Sequence, residues 1–140
     1  MLKIDDCIIC DIDGTLALRK DRGPFEWARV GQDSINQPIA DLVTVYHHQA
    51  GVAVILVSGR DSVCQPETEQ WLMENDIPYT ELWMRPAGDT RKDAIVKTEI
   101  YKQHIKGQYN VLFVLDDRDQ MVQAWRRLKL TCLQVAEGKF

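Results

Sequence analysis

The sequence predicts an α/β fold in which a parallel β-sheet carries helices on both faces. Three apolar runs of strand length, Cys7–Cys10, Val52–Val57 and Val111–Leu115, alternate with segments of helical spacing, an order typical of parallel strands joined by right-handed crossovers. Each run ends in charged or hydroxyl residues, and such sheets bind ligands beyond the carboxyl ends of their strands. A chain of 140 residues is long enough for one core and too short for two, so we expect a single domain, residues 1–140.

The first half of the chain continues from the first strand into a flap and a helix. Residues 16–33 show no sustained period of 2 or 3.6, which predicts an irregular flap over the site. Asn36 offers an N-cap, Pro38 stands in the first turn and Gly51 supplies a stop, so we predict a helix over 38–49. The second apolar run follows directly and has the character of a parallel strand buried on both faces.

The second half of the chain keeps the alternation of helices and strands. Proline, glycine and aspartate mark its turns. The predicted elements are, in order, a helix from Pro66 to about Asn75, a short strand over 79–84, a helix over 91–106 stopped by Gly107, the strand 111–115, a helix over 120–128 and a last strand over 131–135.

The composition is that of an ordinary soluble globular protein, with 45% apolar and 27% charged residues. No apolar stretch approaches the roughly 20 residues that span a bilayer, so we expect no membrane contact. The first residues are acidic and lack the features of a secretory signal, which favours a cytoplasmic location. The net charge of −4 argues against a protein that tracks nucleic-acid phosphates non-specifically, but not against one that grips a single chain end.

The four cysteines are interpreted as buried free thiols. Cys7 and Cys10 have the C-x-x-C spacing of redox and metal sites, but they lie within a predicted strand. An offset of three directs them to opposite faces of that strand, so we do not expect them to act together.

The motif Asp11-Ile12-Asp13-Gly14-Thr15 follows the first strand. Buried carboxylates are costly unless they are paired, hydrogen-bonded or bound to a metal, so two of them here indicate a cation or a catalytic role. Side chains two apart in a strand share a face, so Asp11 and Asp13 can meet one substrate while Ile12 faces the core. We interpret Asp11 as a nucleophile and Asp13 as its general acid and base. The alternative is that one carboxylate caps the following turn.

Magnesium is the cofactor that these carboxylates suit. Asp116 and Asp117 end the third apolar run, and with Asp11 and Asp13 they offer the oxygen ligands of a Mg²⁺ site that keeps several waters. One residue of the Asp116–Asp117 pair is expected to bind the ion directly and the other through water, and the sequence does not say which.

Two further clusters suit a transferring phosphoryl group. Ser58 and the backbone N–H of Gly59 can hold phosphate oxygens at the end of the second strand. Asp93 and Lys97 are four residues apart, hence on one helix face, so Asp93 can orient a lysine that stabilises the phosphoryl group. Lys92 is a rival for that role, and a solvated helix face is the alternative interpretation of the whole run.

The motifs follow one another along the chain in the order Asp-x-Asp-x-Thr, Ser, Lys, Asp-Asp. This order resembles that of the haloacid dehalogenase superfamily of phosphotransferases, and the resemblance covers the whole chain. The resemblance implies a Rossmann-like parallel sheet, Mg²⁺ and an aspartyl-phosphate intermediate, and the presence of Asp13 is typical of the phosphatase branch. Response-regulator receivers also pair acidic residues with a serine or threonine and a lysine. In receivers the acidic pair ends the first strand and the lysine comes last. In this chain the order is reversed, because the lysine comes before the acidic pair.

Larger members of that superfamily enclose small substrates with an inserted cap domain. Here Asp13 and Ser58 are 45 positions apart, and Ser58 and Lys97 are 39 apart, which leaves room only for a minimal cap, the flap itself. An open cleft suits a substrate that is too large to enclose, such as the end of a polymer.

Longer stretches resemble the phosphatase domain of the bacteriophage polynucleotide kinase/3′-phosphatase family, among them Arg22-Gly23-Pro24, the run from Gly88 to Asp93, and Trp125-Arg126-Arg127. The resemblance implies removal of a 3′-phosphate from DNA or RNA ends, with a 2′,3′-cyclic phosphate as a second candidate substrate, and it favours Lys97 over Lys92. The positions that match functional residues of that family are Asp11, Asp13, Arg22, Arg60, Asp93, Lys97, Asp116 and Asp117. The expected substrate-binding residues are Thr15, Arg22, Ser58, Gly59 and Arg60.

The flap and its surroundings leave several roles open. Arg22 and Arg60 suit phosphate because guanidinium groups bind it in a bidentate manner, and surface solubility is the alternative. Phe25 and Trp27 either stack a base or pin the flap to the core, and the sequence does not decide between these roles. Trp125 is interpreted as a buried side chain beside solvated arginines.

The expected partners and substrates of the chain follow from this resemblance. The chain has no Gly-x-x-x-x-Gly-Lys-Ser/Thr phosphate loop, so a polynucleotide kinase would be fused to it or separate. Besides 3′-phosphorylated DNA or RNA ends, a small molecule or nucleotide is the alternative substrate, which the acidic net charge suggests. A non-catalytic end-binding domain is a third possibility, and the intact aspartates and lysine count against it. The oligomeric state is open.

Overall fold

A computed structural model of the chain, which describes residues 3–140, contains the predicted elements and two additional short strands in the flap. The predicted domain, residues 1–140, stays a prediction, and its first two residues lie outside the described part. The strands and helices are, in chain order, β1 (Asp5–Cys10), β2 (Ala17–Leu18), β3 (Ser34–Ile35), α1 (Gln37–Ala50), β4 (Ala53–Asp61), α2 (Gln65–Glu74), β5 (Glu81–Arg85), α3 (Asp93–Ile100), β6 (Tyr109–Asp116), α4 (Asp119–Arg127) and β7 (Cys132–Gln134).

The strand β1 is the centre of a five-stranded parallel sheet with the order β5-β4-β1-β6-β7. Its neighbours β4 and β6 are the two strands that end in the other polar clusters. Ile8 and Ile9 are both fully buried although they point to opposite faces, because helices cover the sheet on both sides. Since parallel strands end at one edge, the three clusters meet there, which confirms the predicted fold class.

The two helical layers divide the core into two clusters. The helices α1 and α2 pack on one face of the sheet, and α3 and α4 pack on the other. Cys10 belongs to the first cluster and Cys7 to the second, as the strand periodicity predicts, and all four cysteines are buried free thiols. Within residues 3–140, none of the helices has the length and apolar character needed to cross a membrane.

The flap contains more regular structure than its sequence predicts. The strands β2 and β3 form an antiparallel pair, and a 3₁₀ turn over Trp27–Gln32 lies between them. Elements this short establish no hydrophobic period, which is why the pattern does not show them. Asn36 occupies the predicted N-cap of α1, but its side chain donates to the Thr15 carbonyl (2.8 Å) and so ties the end of the flap to the loop after β1.

Two elements near the site differ from the prediction. The strand β4 runs on to Asp61, with a shift in its register against β5 between Ser58 and Asp61, and a bulge of this kind redirects side chains at a strand end. The helix α3 begins at Asp93 and continues from Tyr101 as a π-helical turn. The predicted helix over 91–106 is therefore shorter at its start and irregular at its end.

The minimal cap is confirmed. Between β1 and α1 the chain forms only the flap, and between β4 and α3 it forms a 3₁₀ turn (Ser62–Cys64), α2 and β5. No inserted cap domain is present in residues 3–140.

Candidate active site

Three carboxylates meet at the carboxyl edge of the sheet. Asp11 follows β1, and its backbone N–H donates to the Leu115 carbonyl (3.0 Å), which holds it beside Asp116 and Asp117 at the end of β6. One oxygen from each carboxylate lies within 4.8 Å of the others, and all three residues are buried. Carboxylate oxygens that converge in this way form the kind of donor set that Mg²⁺ prefers.

Lys97 lies among these carboxylates. Its Nζ donates to Asp11 Oδ1 (2.8 Å) and to Asp116 Oδ2 (3.2 Å). Burial by itself would lower the pKa of Lys97, but the two carboxylates outweigh it and raise that pKa above its ordinary value, so the side chain is a cation. Lys92 is exposed and precedes α3, so the structure brings Lys97 rather than Lys92 to the site.

Asp11 is held through both of its oxygens. Besides the ion pair with Lys97, its Oδ2 accepts a hydrogen bond from the Thr15 hydroxyl (3.0 Å). Burial, followed by the Asp116 carboxylate, raises the pKa of Asp11 well above its ordinary value, and burial also raises the pKa of Asp117. Three crowded carboxylates facing one lysine leave an excess of negative charge that a divalent cation would balance, so this donor set fits Mg²⁺.

Asp116 is fixed by a contact that the sequence does not indicate. The Trp125 indole N–H donates to Asp116 Oδ2 (3.0 Å), and the backbone N–H of Asp117 donates to Asp116 Oδ1 (2.8 Å). Trp125 is buried, and Arg126 and Arg127 beside it are exposed, so its interpretation as a core side chain is confirmed. In addition, it orients a carboxylate of the site.

Gly14 makes room for Asp117. Its φ is +80°, in the left-handed region that favours glycine, and a Cβ at this position would overlap the Asp117 carboxylate. The turn after β1 can therefore close against the end of β6 only because position 14 has no side chain.

We expect Gly14→Ala to displace the Asp117 carboxylate and weaken Mg²⁺ binding by about tenfold or more, and to lower the free energy of unfolding by about 1–3 kcal/mol. Titration of Mg²⁺ against thermal unfolding measures both effects. Gly51→Ala is the matched control, because Gly51 has a φ of +66° and no atom within 4 Å of the added Cβ. The control variant has the backbone strain of a positive φ without an overlap of the added Cβ. A Gly14→Ala variant with the same Mg²⁺ midpoint as the control would contradict the account.

The Asp13 carboxylate lies outside the acidic group and pairs with two buried arginines. Its Oδ1 accepts from Arg22 Nη2 (3.1 Å) and from Arg60 Nη2 (2.8 Å). The same guanidinium groups bind Asp33, which accepts from Arg22 Nε (2.8 Å) and Arg60 Nη2 (2.8 Å). The arginine side chains are at most 2% exposed, so they hold Asp13 in place and are not the solvated surface arginines of the alternative interpretation. A phosphate-binding role for Arg22 and Arg60 stays a prediction.

Asp33 is a residue of this network that the sequence analysis missed. Its side chain is 1% exposed, and its backbone carbonyl accepts the Trp71 indole N–H (2.8 Å). An aspartate near the end of an aperiodic flap has no local pattern that separates it from a solvated one. Its partners are distant in sequence, and only the folded chain brings them together.

Asp93 does not pair with Lys97 as the spacing of four residues predicts. Its two carboxylate oxygens accept instead from Arg85 and from Arg118 Nη1 (3.1 Å). Asp93 is the first residue of α3 and faces the ends of the strands, whereas Lys97 reaches past it to Asp11. Burial opposes ionisation, but Lys97 and the two arginines outweigh it and lower the pKa of Asp93.

Ser58 and Gly59 lie at the bulge of β4. The Ser58 side chain is fully buried and its Oγ accepts the backbone N–H of Arg60 (3.1 Å). A Cβ on Gly59 would overlap the Asp93 carboxylate, so glycine lets the start of α3 close on the strand end. A phosphate-binding role for Ser58, Gly59 and Thr15 stays a prediction.

Comparison with known proteins places this site in a family. The model of the family described as the polynucleotide kinase PNKP phosphatase domain, of the haloacid dehalogenase type, matches residues 5–140. A protein of Autographa californica nuclear polyhedrosis virus, predicted to be a bifunctional polynucleotide kinase/RNA ligase, is 34% identical over 130 residues, which cover 91% of this chain and 19% of the relative.

Solved structures agree with this assignment. Two structures of a Pnkp1/Rnl/Hen1 complex, one of them described as an RNA repair complex, contain a chain that is 43% identical with a TM-score of 0.95 over 98% of this chain. This chain covers 48% and 44% of those chains, so it spans less than half the length of these relatives. A class C acid phosphatase from Bacillus anthracis, 15% identical with a TM-score of 0.65 over 91% of this chain and 63% of its own, shares the fold.

The match over residues 5–140 spans β1 to β7 and every site residue described above. The chain therefore belongs to the polynucleotide kinase phosphatase-domain family of the haloacid dehalogenase superfamily.

Proposed function

We propose that this chain is a Mg²⁺-dependent phosphatase that removes the 3′-phosphate from DNA or RNA ends through an aspartyl-phosphate intermediate. The observation that carries the proposal is the setting of Asp11, whose two oxygens are oriented by Lys97 and Thr15 beside a group of carboxylates suited to a divalent cation. A carboxylate held in this way can approach a phosphorus atom once the negative charges of both are neutralised.

In the first step Asp11 attacks the phosphorus atom, and the bond from phosphorus to the 3′ oxygen of the nucleotide breaks. Lys97 offsets the charge that develops on the phosphoryl oxygens. Asp13 gives a proton to the leaving 3′ oxygen, so the products are a 3′-hydroxyl end and phospho-Asp11. In the second step Asp13 takes a proton from a water molecule that attacks the same phosphorus, which releases inorganic phosphate and restores Asp11.

The position of Asp13 suits this exchange of protons. Arg22 and Arg60 both hold its Oδ1, and the carboxylate is 32% exposed, whereas those of Asp11 and Asp116 are at most 7% exposed. One oxygen is therefore anchored while the group remains accessible to a substrate and to water. The two arginines and Asp33 act through Asp13 and fix its direction.

The residues that would hold Mg²⁺ are Asp11, Asp116 and Asp117, and when bound the ion supplies positive charge that neutralises the phosphate and the nucleophile. The side chain of Asp13, which the sequence also offers as a ligand, is turned to the arginines. Its part in metal binding stays a prediction, as does the division of direct and water-mediated contacts between Asp116 and Asp117.

Removal of the metal has a readout that does not depend on turnover. We expect Mg²⁺ at about 100 times its dissociation constant to raise the free energy of unfolding by about 2.7 kcal/mol, and EDTA to abolish both this gain and the phosphatase activity. Thermal unfolding with and without Mg²⁺ measures the gain. Asp116→Asn should lose it, while Asp5→Asn, at the exposed opposite end of β1, should retain it; equal gains in the two variants would contradict the assigned site.

The experiment that tests the proposed function is phosphate release from a 3′-phosphorylated oligonucleotide, compared with a 3′-mononucleotide and p-nitrophenyl phosphate, with Mg²⁺ and with EDTA. We expect a strong, Mg²⁺-dependent preference for the oligonucleotide. The net charge of −4 favours the second candidate function, a small-molecule or nucleotide phosphatase. Equal or better turnover of the small substrates would establish that function instead.

The partners belong to the same proposal. The chain spans less than half of its structural relatives, which are parts of a Pnkp1/Rnl/Hen1 complex, and about a fifth of a relative predicted to join a kinase to an RNA ligase. We infer that a polynucleotide kinase, fused or separate, supplies the 5′-end chemistry, and that the phosphatase acts in the cytoplasm. Co-purification from the source cells tests this association.

A further inference from the structure

The two aromatic residues of the flap have different surroundings. The Trp27 ring packs against a small core cluster of Val30, Cys64 and Met84 and pins the flap to the domain. Phe25 is 80% exposed and touches Trp27 edge-on, with ring centroids 6.0 Å apart and an angle of 80° between the rings. At least one face of the Phe25 ring is therefore open to solvent, although burial of a phenylalanine side chain in the core would stabilise the fold.

A tight turn displays Phe25 in a fixed position. The backbone N–H of Glu26 donates to the Gly23 carbonyl (3.2 Å), and the Glu26 side chain accepts the Gly23 N–H (2.8 Å). Pro24 occupies the second position of this turn, where its restricted φ is favourable. Arg29 Nη1 donates to the Glu26 carboxylate (3.1 Å) and braces the turn from outside.

The same turn is bonded to the catalytic network. Arg22 Nη1 donates to the Gly23 carbonyl (3.2 Å), and the Nη2 atom of the same guanidinium donates to Asp13 (3.1 Å). One arginine thus joins the turn that carries Phe25 to the residue that handles the leaving 3′ oxygen. Phe25 is three positions after Arg22, a span of about 10 Å at most for an extended chain. This span is comparable with the distance from a 3′-phosphate to the last bases of its strand.

We propose that the open face of Phe25 is a stacking platform for one of the last two nucleobases of the strand whose 3′-phosphate enters the site. The inference rests on the proposed function and adds the means by which a protein of acidic net charge selects a polynucleotide end. Stacking on an aromatic ring accepts every base, since each base has a π-face. The platform therefore gives preference for a polymer without preference for a sequence.

The test compares Phe25→Ala with Phe25→Tyr on 3′-phosphorylated single-stranded oligonucleotides that end in each of the four bases. We expect the alanine variant to raise KM about 5- to 20-fold for every base, with kcat little changed, and the tyrosine variant to behave like the wild type. Met73→Ala is the matched control, because Met73 is an apolar side chain that is 65% exposed in the last turn of α2, outside the flap. It should leave KM unchanged.

Abasic substrates identify the contact. One of two oligonucleotides, lacking either the terminal or the penultimate base, should have the raised KM already with the wild-type protein. On that substrate Phe25→Ala should raise KM no further. An unchanged KM in Phe25→Ala, or the same increase on substrates that lack both bases, would overturn the platform. Failure of the wild type to act on any oligonucleotide would instead remove the proposed function, so the two failures are distinguishable.

Discussion

Asp11→Asn is expected to reduce phosphate release by at least about 10³-fold while the protein stays folded. The amide has almost the shape of the carboxylate and can still contact Lys97 and Thr15, so the local packing is kept. It cannot attack phosphorus as a carboxylate does, so no phosphoenzyme forms. Steady-state phosphate release and thermal unfolding of the same preparation measure the two parts of this expectation.

The control for Asp11→Asn is Asp5→Asn, in the same strand but exposed at its other end. It makes the same change of charge and should retain full activity. An Asp11→Asn protein that keeps activity near that of the control would refute Asp11 as the nucleophile and with it the two-step mechanism.

Lys97→Met is expected to have the second large effect, on both activity and stability. The methionine matches the lysine in volume but leaves the buried carboxylates of Asp11 and Asp116 without their shared cation. Breaking a buried pair in this way lowers the free energy of unfolding by about 3–5 kcal/mol, and loss of the cation that faces the phosphoryl group lowers kcat by about 10²–10³-fold. Urea unfolding without metal and phosphate release with Mg²⁺ are the measurements.

Lys92→Met separates this site effect from a general loss of positive charge. Lys92 lies just before α3 and is exposed. The activity and the stability of the Lys92→Met variant should therefore match those of the wild type. If Lys92→Met lost activity and Lys97→Met did not, the assignment of the two lysines would be reversed.

The parts of the fold that the sequence predicts are those that have a strong local signal. The three apolar runs become the three central strands, because a strand buried on both faces needs continuous apolar residues. Their order in the sheet then brings Asp11 beside Asp116 and Asp117, since these residues lie at the ends of strands that finish at one edge. The helix α3 carries Lys97 to the same edge, where it contacts Asp11 and Asp116. The spacing of 86 positions between Asp11 and Lys97 carries no information by itself.

The parts that the sequence does not predict depend on pairs that are distant along the chain. Helical spacing suggests that Asp93 pairs with Lys97, but spacing describes neighbours on one helix and not competitors from other elements. Arg85 and Arg118 come from the loops and strand ends beside α3 and bind Asp93 instead. The pairing of Asp33 escapes sequence analysis for the same reason, because its partners Arg22 and Arg60 lie 11 and 27 positions away.

The flap shows a further limit of sequence analysis. The composition of residues 16–33 shows that two aromatic residues are present, and it does not show that one is packed and the other exposed. That difference arises from the 3₁₀ turn over Trp27–Gln32, which turns Trp27 toward Cys64 and Met84. No periodic pattern precedes so short an element.

The most direct test of the central claim is to trap the enzyme during turnover of a 3′-phosphorylated oligonucleotide. Rapid quenching, reduction with borohydride and mass spectrometry of the peptides would convert a phosphorylated aspartate into homoserine and locate it. The account predicts homoserine at position 11, dependent on both Mg²⁺ and the oligonucleotide. Phosphate release without any modified aspartate, or with the modification at another position, would contradict it.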